Sequence, residues 1–230
     1  MIKLLDFDNR IIPWVDPISK SKLIRKGDFL VSRTRKYPIK NNIPIFIKNF
    51  DNLGQKQVNE SFGYKWTNSN FGQNDKIFEE KLKDIILDFM GITLKDLSFL
   101  KNKIILDVGV GSGSTARFWA SKAKEFHGID ISKAVFKAPN AIKNFCKNPI
   151  LSQADLNHLP YENNSFDVVI SNGVLHHTPN TKNSLKNIIK KLKINGDCLF
   201  YVYKKKAPIR EFSDDFIRNK LIKMDPKKSD

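Results

Sequence analysis

The sequence predicts an α/β fold: a doubly wound, mostly parallel sheet preceded by a small β module. Beyond residue 100, apolar runs of strand length alternate with turn-rich or helix-period segments. The run KIILDVGV (103–110) is nearly continuous in apolar residues, as a strand covered on both faces requires. Before residue 51 the pattern is different, with short strands punctuated by turn residues. A chain of 230 residues has room for such a module plus one medium domain, and both can bury a core.

Residues 1–50 read as RIIPWV, a turn at DPISKSK, then DFLVSRTRKYPI and IPIFI, the last bounded by Asn41-Asn42 and Pro44. Residues 51–74 are polar and rich in Asn and Gly, a linker interrupted by the aromatic cluster SFGYKW (61–66). The main domain is expected over 75–230. Its first helix follows from Phe78, Leu82, Ile85, Ile86 and Phe89, with Gly91 as a stop.

After KIILDVGV a helix is expected from Ser114. FHGIDI (126–131) is the second strand, with Ser132 as N-cap of a helix that Pro139 kinks or splits. PILSQADL (149–156) and FDVVISNGVL (166–175) are the third and fourth strands. The next helix is expected to have Thr178 as cap, Pro179 in its first position, a face of Leu185, Ile188, Ile189 and Leu192, and Gly196 as its end. CLFYVY (198–203) is the fifth strand. A further helix is expected around residues 209–223.

Composition narrows the class of protein. Hydrophobic residues are 40% and charged residues 28%, the balance of a soluble globular chain. No stretch reaches the roughly 20 apolar residues of a membrane span, and acids occupy the place of a signal peptide's apolar core, so the cytoplasm is the expected location. Cys146 and Cys198 are too few for a disulfide framework or a four-thiolate metal site, and no metal is expected. The formal charge of +16 invites a nucleic-acid partner, but lysine is spread along the whole chain without interleaved aromatics, so charge alone does not favour one.

In a doubly wound sheet, ligands bind beyond the carboxyl ends of the strands. After the first strand stands Asp107-Val-Gly109-Val-Gly111-Ser-Gly113. Its spacing is G-x-G-x-G, whereas a dinucleotide turn needs glycine at position 114, which is Ser. Asp130 ends the second strand, where a carboxylate can accept from both hydroxyls of a ribose. Asp155-Leu156 closes the third, suited to an adenine amino group and ring. Asn172, His176 and His177 follow the fourth.

These segments together resemble the class I S-adenosylmethionine-dependent methyltransferases. The likeness rests on ILDVGVGSGS, GIDIS, QADLNHLPYENNSFDVVISNGVLHHTPNT and LKINGDCLFYVY, in that order over roughly residues 100–205. It implies a Rossmann-like fold and S-adenosylmethionine as cofactor. It further implies that Asp107 with the glycine loop at Gly109, Gly111 and Gly113 holds the methionine end, Asp130 with Ile131 the ribose, Asp155 and Leu156 the adenine, and Asn172 with Gly173 the region near the sulfonium. His176 and His177 are candidate bases for an acceptor proton, although bonding to local backbone is the simpler expectation for both. The acids also have a plainer role open to them, as caps of the following helices. Phe62 and Trp66 are candidate covers for the pocket mouth.

Two departures accompany the likeness. Residues 13–47 resemble a zinc-ribbon module, with WVDPISKSKL where such modules read C-P-x-C, but the thiols are missing, so packing of Trp14, Ile39, Ile45 and Phe46 must hold it. The family's sheet has seven strands and only five are legible, which suggests a C-terminally shortened relative with an open fifth-strand edge, available to a second copy or a partner. The expected function is methyl transfer to a small-molecule or cell-surface-related acceptor. RNA methylation is the alternative within enzymes, and a non-catalytic relative the alternative outside them.

Overall fold

Two sheets share one apolar core. The computed structural model describes residues 10–47, 76–92 and 96–203. The linker at 51–74 with Phe62 and Trp66, and the helix expected at 209–223, lie outside the described residues.

The front module is an antiparallel meander of β1 (Ile24–Lys26), β2 (Phe29–Val31), β3 (Lys36–Lys40) and β4 (Ile43–Pro44). Asn41 and Asn42 join the last two with φ of 51° and 62°, the left-handed pair of a tight hairpin turn. RIIPWV forms no full strand; only Val15 bridges to Lys22. Instead the chain knots around Asp16, which is fully buried. Its carboxylate accepts from the amides of Ile18 and Ser19 at 2.9 Å, from Ser32 Oγ at 2.8 Å and from Arg35 at 3.4 Å. Burial alone would raise its pKa, but the bonds from Ser19, Ser32 and Ile18 and the nearby Arg35 charge hold it down at about 2. One carboxylate thus ties the turn at Ile18 and Ser19 to Ser32 and Arg35 across the module. Trp14 and Phe46 pack edge to face, and Tyr37 and Leu30 join them in the core.

The main sheet contains β5 (Ile104–Val108), β6 (Glu125–Asp130), β7 (Ile150–Gln153), β8 (Phe166–Asn172) and β9 (Leu192–Tyr201). Their spatial order is β7-β6-β5-β8-β9, and every pairing is parallel. All five residues of β5 are buried, as its unbroken apolar run predicts. Around the sheet lie α1 (Lys76–Phe89), α2 (Arg117–Ala120), α3 (Ala138–Ile142) and α4 (Thr181–Ile189).

Several local expectations need correction. In α1 the buried pair is Ile86 and Leu87, whereas Ile85 and Phe89 face outward. The helix expected from Ser114 is the single turn of α2, anchored by buried Trp119. Ser132 does cap, and Pro139 does split the next segment into a 3-10 turn at Lys133–Phe136 and α3. Asn180, not Thr178, caps α4, because its extended backbone lets its side chain accept from the Asn183 amide at 2.9 Å. The helix stops well before Gly196. Lys191 is drawn inward by bonds from its ammonium to the Tyr161 carbonyl and Asn163, and β9 starts at once. Gly196 lies inside that strand, near a register shift with left-handed Asn195.

The front module covers one edge of the main sheet. Ile45 pairs in parallel with Gln153 of β7, and the Phe46 amide donates to the Gln153 carbonyl at 2.8 Å. Trp14, Leu30, Tyr37 and Phe46 belong to the same apolar cluster as Leu106, Val108, Leu156 and Tyr161. At the opposite edge β9 is the last strand among the described residues, and Ile194 on it is 87% exposed. No helix among the described residues is long and apolar enough to cross a membrane.

A buried polar chain also links the two parts. Glu125 accepts from the amides of Ile11 and Ile12 and bonds to His127 Nε2 at 2.7 Å. His127 Nδ1 lies 3.2 Å from the Tyr161 hydroxyl, which also accepts from Trp14 Nε1 at 3.3 Å. The tyrosine proton therefore points at Nδ1, and His127 is the neutral tautomer donating through Nε2 to an ionised Glu125. Burial pushes the His127 pKa below its ordinary 6.5 despite Glu125. Burial pushes Glu125 the other way, but bonds from His127, Ile11 and Ile12 outweigh it and leave its pKa lowered. Both groups refuse protons that the unfolded chain accepts, so both contributions are present at neutral pH; that of His127 is lost as pH falls below 6.5 and that of Glu125 only below 4.5. Urea unfolding from pH 8 to pH 5 should show that loss, and His127→Gln should lower stability at pH 8 while flattening the slope.

Candidate active site

A cleft of about 510 Å³, counted to its open mouth, lies at the carboxyl ends of the parallel strands. β5 and β6 contribute Val108, Gly109, Ile129, Asp130 and Ile131; the segment after β7 contributes Ala154, Asp155 and Leu156; the segment after β8 contributes Val174, His177, Thr178 and Pro179. The cleft opens where strand order reverses, since β5 is flanked by β6 on one side and β8 on the other.

The glycine loop is tied to β6. The amides of Gly109 and Val110 both donate to the Ile129 carbonyl, at 2.8 and 2.9 Å. The Gly111 amide donates to Asp130 Oδ2 at 2.8 Å, and the Ser132 amide reaches Oδ1 at 2.7 Å. Asp130 is thereby fixed from both sides, with lone pairs left over on each oxygen. Burial raises its pKa, and the bonds from Ser132 and Gly111 only partly offset the rise. Gly109 has φ of 88°, and a Cβ there would stand 2.1 Å from Val174 Cγ2. No side chain fits. At Gly113, with φ of 83°, a Cβ would press on the Ala138 backbone at 3.1 Å, so this glycine admits α3 to the loop.

Asp107 lies beneath the loop rather than on the cleft wall. It is 2% exposed, and its Oδ2 accepts from Trp119 Nε1 at 2.8 Å. Burial raises its pKa to about 7; the Trp119 bond opposes the rise and the Asp130 charge adds to it. Asp155 accepts from the amide and side chain of Asn157 at 2.8 and 3.1 Å and caps a short turn, the plainer role open to it from the sequence, while still lining the cleft.

Beyond β8 the chain makes one 3-10 turn at Leu175–His177, closed by Thr178 Oγ1 on the Leu175 carbonyl at 2.6 Å. His177 faces the cleft. His176 turns away and accepts from the Tyr203 amide through Nδ1 at 3.5 Å, with its ring 4.0 Å from that of Tyr203.

The segments that build this cleft have counterparts in known proteins. Residues 106–200 match the family model described as the methyltransferase domain. Over those residues the chain is similar to a methyltransferase domain. The uncharacterized methyltransferase YcgJ of Bacillus subtilis is 22% identical over 161 residues, which are 69% of this chain and 60% of that protein. An uncharacterized protein of Methanocaldococcus jannaschii is 28% identical over 169 residues, 73% of this chain and 71% of its own. The fold of the methyltransferase domain is shared with the N-methyltransferase NodS of Bradyrhizobium japonicum, solved with S-adenosyl-L-homocysteine. There the TM-score is 0.51 at 19% identity, over 62% of this chain and 71% of that one. The chain spans only 60% of the length of YcgJ.

In this domain Gly109, Asp130, Ile131, Asp155, Leu156 and His177 from the sequence reading meet in one cleft. Asp107, Gly111, Gly113, Asn172, Gly173 and His176 are not on its wall; Gly111 acts through Asp130, and Asn172 pairs with Tyr201 at the end of β9. The wall residues that sequence reasoning missed are apolar: Val108, Ile129, Ala154 and Val174, with Thr178 and Pro179 at the rim. For Val108, Ile129 and Ala154 the signal was position alone, one residue before a glycine or acid at a strand end; Val174 follows Gly173 and carried no such mark. Gly109→Ala should cost about 3 kcal/mol of stability, from strain plus overlap with Val174. A second change, Val174→Ala, should recover part of it in urea unfolding.

Proposed function

We propose that the chain transfers a methyl group from S-adenosylmethionine to a small-molecule or cell-surface-related acceptor. The observation that carries this reading is the convergence of Gly109, Asp130 and Asp155 on one cleft at the strand-order switch. The residue types suit an adenosyl sulfonium. Asp130 is the ribose acceptor, Asp155 and Leu156 face the adenine, and Ala154 and Ile131 supply flat apolar wall. Asp107, under the loop, draws the cationic methionine end towards Gly109. When bound, the cofactor supplies an activated methyl: the acceptor's lone pair forms the new bond to carbon, the carbon–sulfur pair returns to sulfur, and the acceptor's proton departs. The protein's part is then alignment and exclusion of water. Val174, Thr178 and Pro179 close the side from which the acceptor arrives, and His177 is the imidazole placed to take its proton.

A second reading is RNA as the acceptor, for which the net charge of +16 would supply phosphate contacts even though lysine is spread along the whole chain. Steep salt dependence of RNA binding would support it, and no RNA affinity at moderate salt would remove it. Binding of S-adenosylhomocysteine without turnover on any acceptor would mark a non-catalytic relative.

Calorimetry with S-adenosylhomocysteine tests the central reading. Asp130→Ala should weaken binding by about 2 kcal/mol, roughly thirtyfold, through loss of a buried charged acceptor. Equal affinity for both proteins would overturn the ribose assignment. Because burial pushes the Asp107 pKa up to about 7 and the ammonium of the ligand's amino-acid end favours the ionised carboxylate, affinity should fall as pH drops below that value. In Asp107→Asn that pH dependence should disappear.

A further inference from the structure

Five aromatic rings run in unbroken contact from the cleft to the surface. His177 lines the cleft, and its ring lies 4.1 Å from that of His176. Tyr203 packs over His176 at 4.0 Å and 30°, Tyr201 meets Tyr203 edge-on at 5.6 Å, and Phe89 of α1 stacks on Tyr201 at 4.7 Å and 10°. His176 and His177 follow β8, Tyr201 ends β9 and Tyr203 follows it, on the side opposite the acids that end β6 and follow β7. The row is not core. Tyr203 is 59% exposed and Phe89 53% exposed, so the rings stack on one another while keeping outer faces open. Tyr203 stands 6.2 Å from His177 at 88°, which makes a corner beside the cleft mouth rather than a flat lid. Two aromatic walls at a right angle receive a planar ring by stacking on one and edge contact with the other, an arrangement with no equivalent benefit for an aliphatic chain.

Resting on the methyltransferase reading above, we propose that the acceptor is a planar aromatic molecule held against Tyr203 and His177, and that Tyr203 determines this specificity. Such an acceptor presents a ring-borne oxygen or nitrogen towards the cleft. The exposed ring of Tyr203 sets which plane the acceptor lies in, and the half-buried Tyr201 beneath holds Tyr203 in place.

The test uses 2-naphthol and its saturated counterpart decahydro-2-naphthol as probes, both neutral at pH 7. Ligand-observed NMR is carried out on the full chain saturated with S-adenosylhomocysteine. Hydrophobicity alone does not favour 2-naphthol over the saturated compound, whereas stacking does. The expected result is 2-naphthol binding about fivefold or more tighter than the decahydro compound, a loss of about fivefold in Tyr203→Ala, and retention in Tyr203→Phe. Affinity for S-adenosylhomocysteine should be unchanged in both variants. Equal binding of the two probes to the wild-type chain overturns the proposal without need of any variant. So does unaltered 2-naphthol binding in Tyr203→Ala. If the wild-type chain does not bind S-adenosylhomocysteine at all, the cofactor reading itself fails, and this inference with it; binding of that ligand without preference for the aromatic probe sinks the aromatic acceptor alone.

Discussion

The tie between the glycine loop and β6 is the constraint on which the cleft depends. Two amides converge on the Ile129 carbonyl and a third takes Asp130, so the chain leaving β5 is bent back over its neighbour instead of rising into a long helix. The short α2 and the left-handed glycines follow from that bend. The contact of Gly109 with Val174 then sets how near the segment after β8 can come. Floor, acidic wall and far wall are therefore positioned by one set of backbone bonds, and Asp130 keeps acceptor capacity because amides, not ammonium groups, hold it.

Much of this was legible. Parallel strands buried on both faces advertise themselves as unbroken apolar runs, and acids at their ends stand out against that background. Gly109, Asp130 and Asp155 could be placed on one rim from the strand pattern, since a doubly wound order leaves few places for strand ends. Ser132 as a cap and Pro139 as a split rest on local chemistry, which sequence carries well.

What escaped was set by distant partners. Lys191 ends α4 because its ammonium finds the Tyr161 carbonyl thirty residues earlier in the chain, and no periodicity records such a bond. Asn180 outcompeted Thr178 as cap because the Thr178 hydroxyl was already engaged with Leu175. In α1, Phe89 appeared as a core position by spacing but instead stacks on Tyr201 near the surface. The apolar wall of the cleft was hidden for a related reason: Val174 and Ala154 look like any strand-end residue until the neighbouring segment is in place.

The pairing of Ile45 with Gln153, together with the cluster in which Trp14 and Phe46 meet Leu106 and Val108, has a consequence for how the gene for such a chain can be cut or recombined. The front segment is no bead on a string. It supplies the outermost rung of the main sheet and part of its filling, so a shortened version beginning near β5 would leave a raw row of amides and a half-empty interior. Exchange of this segment between relatives would succeed only where the recipient's third parallel strand and the apolar layer under it were carried across as well.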